Sequence, residues 1–522
     1  MTFSIAISLF LLAALVVSGI LFSLAARLLL GEWPIAWRAV AAYFVCIIVS
    51  LAAHAAGAWG TAELGADWPI WMASIASLGL MLAAVAMILP ATVPQALGIA
   101  VVHAALAIAV LLPAAWVFKD QVYDVYVQPA ATLAPSLLGH HRIHRCGNCG
   151  LSFPVGYREA EQREPDITVV CTNCDEEEPL DPATPLLDGD RIAVDHGGYP
   201  ERWRLMAFHP PDAPEAVHVA RVVCFPAEHV EIHAGDVFIN GRRWPRMSHE
   251  FLEMWAPVAD SRYRGQEKHE QRHVWEPQGE SSAWKAAELG WRCEAKEEES
   301  ELRLSGVVDD TYSYLPRLAS EPEFAAIPVA DVRIDCELES LTGEGVVALR
   351  WKGLGRTLTA EFTAGGAVSQ EITKEAIQVR QPIGGGQQTI SLAVRDGRVC
   401  VLVDGASKWD AEFLPANLGE ARQVKSAREA PPILSIVAKN CSVAVGHIRV
   451  SRDVYYLSKD DEAARGLEIE TSMGMKDGEY FFVGDNSRIS KDSRFYGPVP
   501  RSALLGRVRA VYWPPARWRE WE

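Results

Sequence analysis

The chain has 522 residues and a formal net charge of −17, and 49% of its residues are hydrophobic. Charge is spread unevenly, because residues 1–118 contain only five charged side chains. These are Arg27, Glu32, Arg38, Glu63 and Asp67. The remainder, residues 119–522, is acidic and has no basic stripe, which argues against a nucleic acid as partner. Its length leaves room for about three soluble domains.

The uncharged region consists of four long apolar runs, at residues 4–30, 36–60, 68–90 and 96–118. Each run matches the roughly 20 residues that a helix needs to cross the hydrocarbon core. The alternative is a set of buried helices in a soluble protein, but four such long, nearly uncharged segments are hard to bury there. The sequence therefore predicts four transmembrane helices.

The first short loop carries Arg27 and Arg38, and the positive-inside rule places it in the cytoplasm. An even number of spans then puts the residues after Lys119 outside the cytoplasm. No Lys or Arg precedes the first apolar run, which argues against a cleaved signal peptide. We expect a multi-pass protein of the cytoplasmic membrane, in contact with lipid, whose soluble domains are extracytoplasmic.

Two CxxC pairs follow the apolar region. They are Cys146-Gly-Asn-Cys149 and Cys171-Thr-Asn-Cys174, and this spacing is typical of two turns that present four thiolates to zinc. Four thiolates leave no open coordination position, so the predicted zinc is structural. Disulfides are the alternative, because an extracytoplasmic location permits them.

Short runs of β-branched and aromatic residues occur from about residue 190. The runs are bounded by Gly, Asp or Pro, as strands are, and lie at 190–196, 203–209, 217–225, 229–241, 479–485 and 503–513. They predict one all-β domain with a large interruption.

The interruption, residues 246–455, shows regular alternation of apolar and polar residues, and Asp396-Gly397 predicts a hairpin turn. Alternating strands without helices favour a β-sandwich. Its first part contains Trp255, Trp275, Trp284 and Trp291, which either belong to a core or form an exposed binding patch. No catalytic spacing occurs in this segment.

The segment "GDNSRISKDSRFYGPVP", residues 484–500, resembles a conserved box of the bacterial type I signal peptidase family. Further similarity lies at 189–194, 220–228 and 237–241 and near the C-terminus. The positions that match family boxes are Ser136, Gly189, Asp190, Arg191, Arg221, Gly484, Asp485, Asn486, Ser490, Asp492, Ser493 and Arg494. A β-domain split by a zinc ribbon and a β-sandwich also resembles the planctomycete branch of that family.

This resemblance implies a membrane-anchored β-fold that cuts leader sequences from exported proteins. The family uses a serine nucleophile in an SMxPTL box and a lysine base in a KRVVGLPG box, and burial can lower the pKa of such a lysine. Here the first box reads "TLAPSL", with Thr132 at the serine position. In the second box, "ARVVCFPA", Ala220 occupies the lysine position, so the base is lost.

One substitute base is available in the sequence. His218 lies two residues before Ala220 and projects from the same face of a strand, about 6–7 Å along it. Related enzymes of the endoplasmic reticulum use histidine in place of lysine. The alternative is that His218 is an ordinary, partly buried strand residue. Ser136 also carries a hydroxyl, and we expect it to bond neighbouring backbone rather than to act as a nucleophile.

Three functions follow as hypotheses. The first is a signal-peptidase-like protein with impaired or no catalysis, which binds leader peptides of exported preproteins or partner proteins through strand addition. The second is an active signal peptidase with a Thr/His site. The third is a membrane-tethered β-sandwich that acts as a binding module.

The predicted fold is thus a set of four N-terminal transmembrane helices followed by a mainly-β soluble part. The predicted boundaries are 1–118 for the transmembrane region, 119–145 for the start of the signal-peptidase-like domain with its nucleophile box, 146–175 for the zinc ribbon, 176–245 for the first part of the β-domain, 246–455 for the β-sandwich and 456–522 for the second part of the β-domain.

Overall fold

The structure is a computed structural model. It describes residues 3–64, 68–121, 123–158, 167–247, 250–265, 273–287, 290–311, 314–318, 326–384, 386–427, 429–458 and 471–521. The chain divides into two compact units, Met1–Val125 with Arg519–Glu522, and Tyr126–Trp518.

The first unit begins with apolar helices, which are α1 (Phe3–Leu30), α2 (Ala36–Leu64), α3 (Trp68–Ile88) and α4 (Val93–Gln121). Among the described residues, three stretches are long and apolar enough to cross a membrane, namely Ser4–Leu30, Ala36–Ala55 and Val93–Val117. Helix α3 contributes the shorter apolar stretch Met72–Ile88. N-terminal apolar helices typical of a membrane protein are therefore confirmed, whereas the count of four spans and their orientation stay predictions.

The second unit is mainly β, as predicted. The strands that follow the helices are β1 (Tyr123–Val127), β2 (His141–Arg145), β3 (Ser152–Gly156), β4 (Ile167–Val170), β5 (Glu177–Pro179), β6 (Arg191–Asp195), β7 (Leu205–Phe208), β8 (His218–Cys224), β9 (His229–His233), β10 (Asp236–Ile239) and β11 (Arg242–Arg243).

The next strands are β12 (Ala256–Asp260), β13 (Trp275–Pro277), β14 (Trp284–Ala287), β15 (Gly290–Ala295), β16 (Ser300–Leu304), β17 (Arg317–Leu318), β18 (Val332–Thr342), β19 (Val346–Gly353), β20 (Arg356–Thr363), β21 (Ser369–Ile372), β22 (Ala376–Pro382), β23 (Gln388–Arg395), β24 (Arg398–Val403) and β25 (Ala406–Glu412). The chain continues with α5 (Leu418–Ala421), β26 (Ile433–Lys439), β27 (Cys441–Arg452), β28 (Ser472–Gly474), β29 (Glu479–Val483), α6 (Ser493–Tyr496), β30 (Val499–Pro500), β31 (Leu504–Trp513) and β32 (Arg519–Glu520).

One sheet joins residues from both sides of the long interruption. Its order is β6–β31–β7–β8–β29–β30, so the C-terminal strand β31 lies between two strands that precede it by about 300 residues. A second sheet, β11–β10–β9–β28, combines the two sides in the same way. We call this part the split domain. Its core contains buried residues of both sheets, among them Val223, Ile232 and Phe481.

The strands from β12 to β27, except β17, form two further sheets, and we call this part the two-sheet domain. The first sheet runs β14–β15–β27–β18–β23–β24–β25, with β12 also paired to β27, and the second runs β13–β16–β26–β19–β20–β22–β21. Buried apolar residues of both sheets form one core because inward positions alternate with outward ones; Ile377 and Val379 of β22 are an example. The predicted Asp396-Gly397 turn joins β23 to β24, and both residues have positive φ.

The four cysteines lie in a small module made of the hairpin β2–β3 and the sheet β17–β4–β5. We call this part the four-cysteine module. Its third strand, β17, comes from the segment between β16 and β18. The two hairpins present the CxxC turns to each other, with all four cysteine side chains buried.

Candidate functional site

Thr132, which the sequence resemblance predicts at the serine position of the family, lies in a short 3-10 turn from Ala131 to Leu133. Ala131 and Leu133 are buried and Thr132 is partly exposed. The backbone N–H of Asn486 donates to the carbonyl oxygen of Thr132 at 3.0 Å, and the Asn486 side-chain amide donates to that of Ala131 at 3.3 Å. The box at residues 484–500 therefore holds the backbone of the turn, and the Thr132 hydroxyl takes no part in this contact.

Gly484 makes the close approach of these two segments feasible. A Cβ at this position would lie 2.7 Å from the Thr132 carbonyl oxygen and closer still to the Ser490 hydroxyl. The N–H of Gly484 donates to Asp492 at 2.9 Å, and Arg494 forms a bidentate pair with that same carboxylate at 2.8 Å per contact. These residues thus fix the shape of the box.

Arg221 connects the turn, strand β8 and the box. It is 1% exposed, and its guanidinium donates to the Asp485 carboxylate at 2.7 and 2.9 Å. It also donates to Ser136 at 2.9 Å and to Glu253 at 3.1 Å. Burial alone would lower the pKa of Arg221, but the carboxylates of Asp485 and Glu253 outweigh it and raise that pKa. The role of Arg221 is to order the site, since a permanently charged guanidinium is a poor base.

Ser136 is fully buried and bonds more distant partners than the sequence suggested. Its hydroxyl donates to the backbone carbonyl of Glu253 at 3.3 Å and accepts from Arg221. The bonded carbonyl is a backbone group that neighbours Ser136 in space and lies 117 residues away along the chain.

Gly189 and Asp190 contact the loop that carries Thr132, residues 128–139, which we call the nucleophile-box loop. A Cβ on Gly189 would overlap the carbonyl oxygen of Gln128. The carboxylate of Asp190 accepts from the N–H of Leu138 at 2.8 Å and from Arg517 at 2.8 Å.

Two further residues that match family boxes have partners elsewhere. Arg191 pairs with exposed Asp188 at 3.4 Å. The Ser493 hydroxyl accepts from the N–H of Phe482 at 3.0 Å.

Ala220, which the sequence resemblance predicts at the lysine position of the family, lies in apolar surroundings. It is 4% exposed and pairs with Met206 across β7 and β8. Its methyl group belongs to a cluster that includes Phe208 and Phe482, whose rings stack at 4.3 Å between centroids. The position is filled by hydrocarbon and offers no group that accepts a proton.

His218 lies on the same strand as Ala220. Its ring centroid is 6.4 Å from that of Phe208. Burial lowers the pKa of His218, and nearby Asp212 partly opposes this effect. Lys491 of the box pairs with Asp212 at 2.6 Å on the surface. Among the residues that the structure describes, no Lys, Arg or His hydrogen-bonds to the Thr132 hydroxyl.

The four cysteines form a compact, buried cluster. All four Sγ atoms lie within 4.8 Å of one another, with Cys146 to Cys174 and Cys149 to Cys171 both at 3.6 Å. All four are free thiols rather than disulfides. Four sulfurs at about 2.3 Å from a tetrahedral zinc would be about 3.8 Å apart, which fits these spacings. The cluster could therefore bind a metal.

Polar groups around the cluster fit negatively charged sulfur. The N–H of Cys149 points to the Sγ of Cys146, and the N–H of Asn173 to that of Cys171, both at 3.5 Å. The Asn173 side chain also accepts from the N–H of Asp260 at 2.6 Å and donates to the carbonyl of Tyr263 at 2.7 Å. One cysteine turn is thereby bonded to the two-sheet domain.

A cluster of four aspartates and three arginines, which the sequence analysis missed, lies where the split domain meets the two-sheet domain. Its members are Asp236, Asp331, Asp396, Asp453, Arg243, Arg246 and Arg395. Arg246 pairs with Asp396 at 2.6 Å and Asp453 at 2.7 Å. Carboxylate oxygens of Asp236, Asp331 and Asp396 lie within 4.8 Å of one another. We call this cluster the acidic seam.

The acids of the seam outnumber its cations by one. Burial raises the pKa of Asp236 to about 6 against the opposing effect of Arg243, with which it pairs at 2.8 Å. Burial and the neighbouring aspartates raise the pKa of Asp331 well above its usual value. The Asp331 carboxylate accepts a hydrogen bond from the N–H of Asp396 at 2.6 Å. No sequence motif signals the seam because its members come from four separate segments between Asp236 and Asp453.

The tryptophans at the start of the interruption belong to the interior. Trp255, Trp275 and Trp284 are buried, and Trp291 packs partly exposed against the core of the two-sheet domain. Of the two interpretations, the core one is correct for these residues.

The chain is similar to known proteins in part of its length. Residues 181–284 and 435–513 match the sequence profile of the family described as signal peptidase, peptidase S26. No curated protein matches this chain.

Several solved structures show weak similarity. They include a carbohydrate-binding module from Bacillus subtilis (11% identity, 34% of this chain and 94% of that chain, TM-score 0.23), a beta-glucanase from Bacillus licheniformis (9%, 36% and 95%, 0.23) and a galectin from Caenorhabditis elegans (14%, 24% and 84%, 0.17). TM-scores below 0.5 do not establish a shared fold.

The profile match spans most strands of the split domain on both sides of the interruption, and it includes Ala220, Arg221 and the box at residues 484–500, whereas Thr132 lies outside the matched residues. This match supports membership of the chain in the signal peptidase family.

Proposed function

We propose that the protein is a signal-peptidase-like membrane protein with impaired or no peptidase activity, which binds exported preproteins or partner proteins at the outer face of the cytoplasmic membrane. The observation that carries this proposal is Ala220, whose buried methyl group occupies the family's lysine position. A threonine hydroxyl is a weak nucleophile unless a neighbouring base takes its proton.

The magnitude of the expected loss is large. In serine proteases, removal of the nucleophile or its base costs roughly 10⁴–10⁶ in rate. The surrounding contacts, in contrast, are complete: Asn486 bonds the turn that carries Thr132, and Arg221 bonds Asp485. Intact contacts around a missing base fit a protein that retains the shape of the site for binding. The sheet of the split domain can bind an extended leader peptide through backbone hydrogen bonds along an edge.

The test uses full-length protein purified in detergent, with a preprotein as substrate. We expect no cleavage above the level of a Thr132→Ala variant, and binding of a fluorescent leader peptide in preference to a scrambled peptide of the same composition. Clear cleavage that disappears in Thr132→Ala would overturn the proposal.

A second candidate, an active Thr/His enzyme, is favoured by one observation. The lowered pKa of His218 keeps its imidazole neutral and able to accept a proton at neutral pH. This candidate requires that cleavage depend on His218, so it predicts that His218→Ala removes activity as completely as Thr132→Ala. If His218→Ala leaves cleavage intact, another base is in use.

We also propose that Cys146, Cys149, Cys171 and Cys174 bind one structural zinc ion. Their sulfur spacings and the N–H groups directed at Cys146 and Cys171 support this ligand set. Zinc would join the two hairpins of the four-cysteine module, and with four protein ligands it would have no position for a reacting water.

A further inference from the structure

A segment between β16 and β18 crosses from the two-sheet domain to the loop around Thr132. We call it the strap and define it as residues 308–311 and 314–318. Its first residue, Val308, is buried in the core of the two-sheet domain. The carbonyl of Asp310 accepts from Arg452 at 2.9 Å, and its carboxylate pairs with Arg488 of the family box, with Arg488 Nε at 2.6 Å. The first residues of the strap are thus held by Val308 in the core of the two-sheet domain and by the pair of Asp310 with Arg488 in the box at residues 484–500.

Tyr314 is the residue of the strap that touches the nucleophile-box loop. It is 1% exposed and packs in one apolar cluster with Ala131, Ala134 and Leu138. Its hydroxyl donates to the carbonyl of Gly139 at 3.4 Å. The aromatic ring therefore covers residues on both sides of Thr132.

The four-cysteine module holds the other end of the strap. Strand β17 pairs antiparallel with β4, with Arg317 opposite Thr168 and Leu318 opposite Ile167. The N–H of Gly156, at the end of β3, donates to the carbonyl of Tyr314. Gly156 also makes room for the ring, because a Cβ there would lie 2.5 Å from Tyr314 Cε1.

An acyl group that reacts at Thr132, or a peptide that mimics one, must come within about 3–3.5 Å of its hydroxyl. The chain that carries this group must then pass over the residues that flank Thr132. Tyr314 already covers Ala131 and Ala134, which are 6% and 0% exposed. On this apolar side of the turn, a residue of the protein's own chain already occupies the space, while Thr132 itself is partly exposed.

We propose that the strap is an intramolecular cover of the Thr132 loop, held in place by the four-cysteine module, and that it must leave before another polypeptide reaches this loop. The four-cysteine module then holds the strap in place through the pairing of β4 with β17 and the hydrogen bond from Gly156 to Tyr314. This inference goes beyond the proposed function, since it concerns access to the loop and not what binds there.

The test measures access directly, with no leader peptide and no peptidase activity. Thr132→Cys is introduced into the full-length protein in detergent, and alkylation of residue 132 by a maleimide is followed by mass spectrometry of the peptide that contains it. We expect slow alkylation in this parent and at least tenfold faster alkylation when Gly156→Ala or Tyr314→Ala is added. Gly156→Ala displaces the ring of Tyr314, whereas Tyr314→Ala removes it. Comparison of the two variants distinguishes the effect of the ring's position from the effect of its volume.

Gly365→Ala is the matched control, because a Cβ at Gly365 meets no atom within 4 Å. We expect it to leave the alkylation rate of the parent unchanged. Asp310→Asn weakens the pair with Arg488 without removing an apolar group, and it is the variant to measure if either larger change prevents folding; we expect it also to increase the rate. Equal rates in the parent and in every correctly folded strap variant, or parent alkylation as fast as in a denatured sample, would overturn the proposal.

Discussion

The guanidinium of Arg221 and the carboxylate of Asp485 form a bidentate ion pair in the interior of the split domain, at 2.7 and 2.9 Å. The two residues are 264 positions apart, on either side of the two-sheet domain. This pair therefore joins the two halves of the split domain next to the turn that carries Thr132.

Replacement of Arg221 by Met is expected to destabilise the split domain by about 3–5 kcal/mol, because it removes the cation that pairs with the buried carboxylates of Asp485 and Glu253. Urea unfolding followed by tryptophan fluorescence measures this loss. Lys491→Met removes the exposed pair with Asp212 and should cost no more than about 1 kcal/mol. Similar costs for the two variants would contradict the structural role assigned to Arg221.

Gly484→Ala is expected to displace the Thr132 turn, because the added methyl meets the Thr132 carbonyl and the Ser490 side chain. We expect a loss of about 2–4 kcal/mol, in the range of overpacked interiors or somewhat above it. Gly478→Ala is no suitable control, since Gly478 has positive φ, whereas Gly365→Ala adds a methyl in open space. A Gly484→Ala protein as stable as Gly365→Ala would show that the turn does not pack against the box in this way.

Metal analysis of the purified protein should find about one zinc per chain. Because all four thiolates are needed for a closed site, the double variant Cys146→Ser with Cys171→Ser should lose the metal. Cys224→Ser is a matched control, since Cys224 is buried but lies outside the cluster. A metal-free protein with two disulfides, detected by its intact mass, would contradict the zinc assignment.

The acidic seam predicts an unusual pH dependence. A carboxyl group whose pKa is raised on folding binds its proton more tightly in the folded state, so its contribution to stability is present below its unfolded pKa of about 3.9 and is lost as pH rises through about 6. Asp236→Asn removes this term, and we expect it to reduce the loss of stability between pH 5 and pH 8 by roughly 1 kcal/mol.

Unfolding of both proteins at a series of pH values checks this prediction. Asp188→Asn serves as the control, because Asp188 is exposed and pairs with Arg191 at the surface. An identical pH profile for wild type and Asp236→Asn would show that Asp236 does not carry the effect.

Local patterns predicted the features that depend on nearby residues. The two CxxC pairs, the Asp396-Gly397 hairpin and the apolar N-terminal helices each rest on spacing or composition within one short segment, and the structure shows each of them. The match of Arg221 to a family box likewise located the residue that pairs with Asp485.

Long-range contacts could not be predicted in this way. Ser136 bonds Glu253, Tyr314 covers Ala131, and Asp236 approaches Asp331, and in each case the partners are brought together only by the packing of separate domains. A single sequence holds no periodicity or spacing that relates such residues. The strap and the acidic seam could therefore be identified only from the structure.

The position of β31 between β6 and β7 has a consequence for biosynthesis. The chain leaves the ribosome with its N-terminus first. Strands β6 and β7 therefore emerge more than 290 residues before β31, the strand that pairs with both. The two-sheet domain, whose strands end at Arg452, can form its hydrogen bonds earlier. Until Leu504–Trp513 arrives, β6 and β7 each present an unpaired edge, which invites wrong pairing. A chain truncated before residue 504 should therefore contain a folded two-sheet domain attached to an unfinished, aggregation-prone sheet.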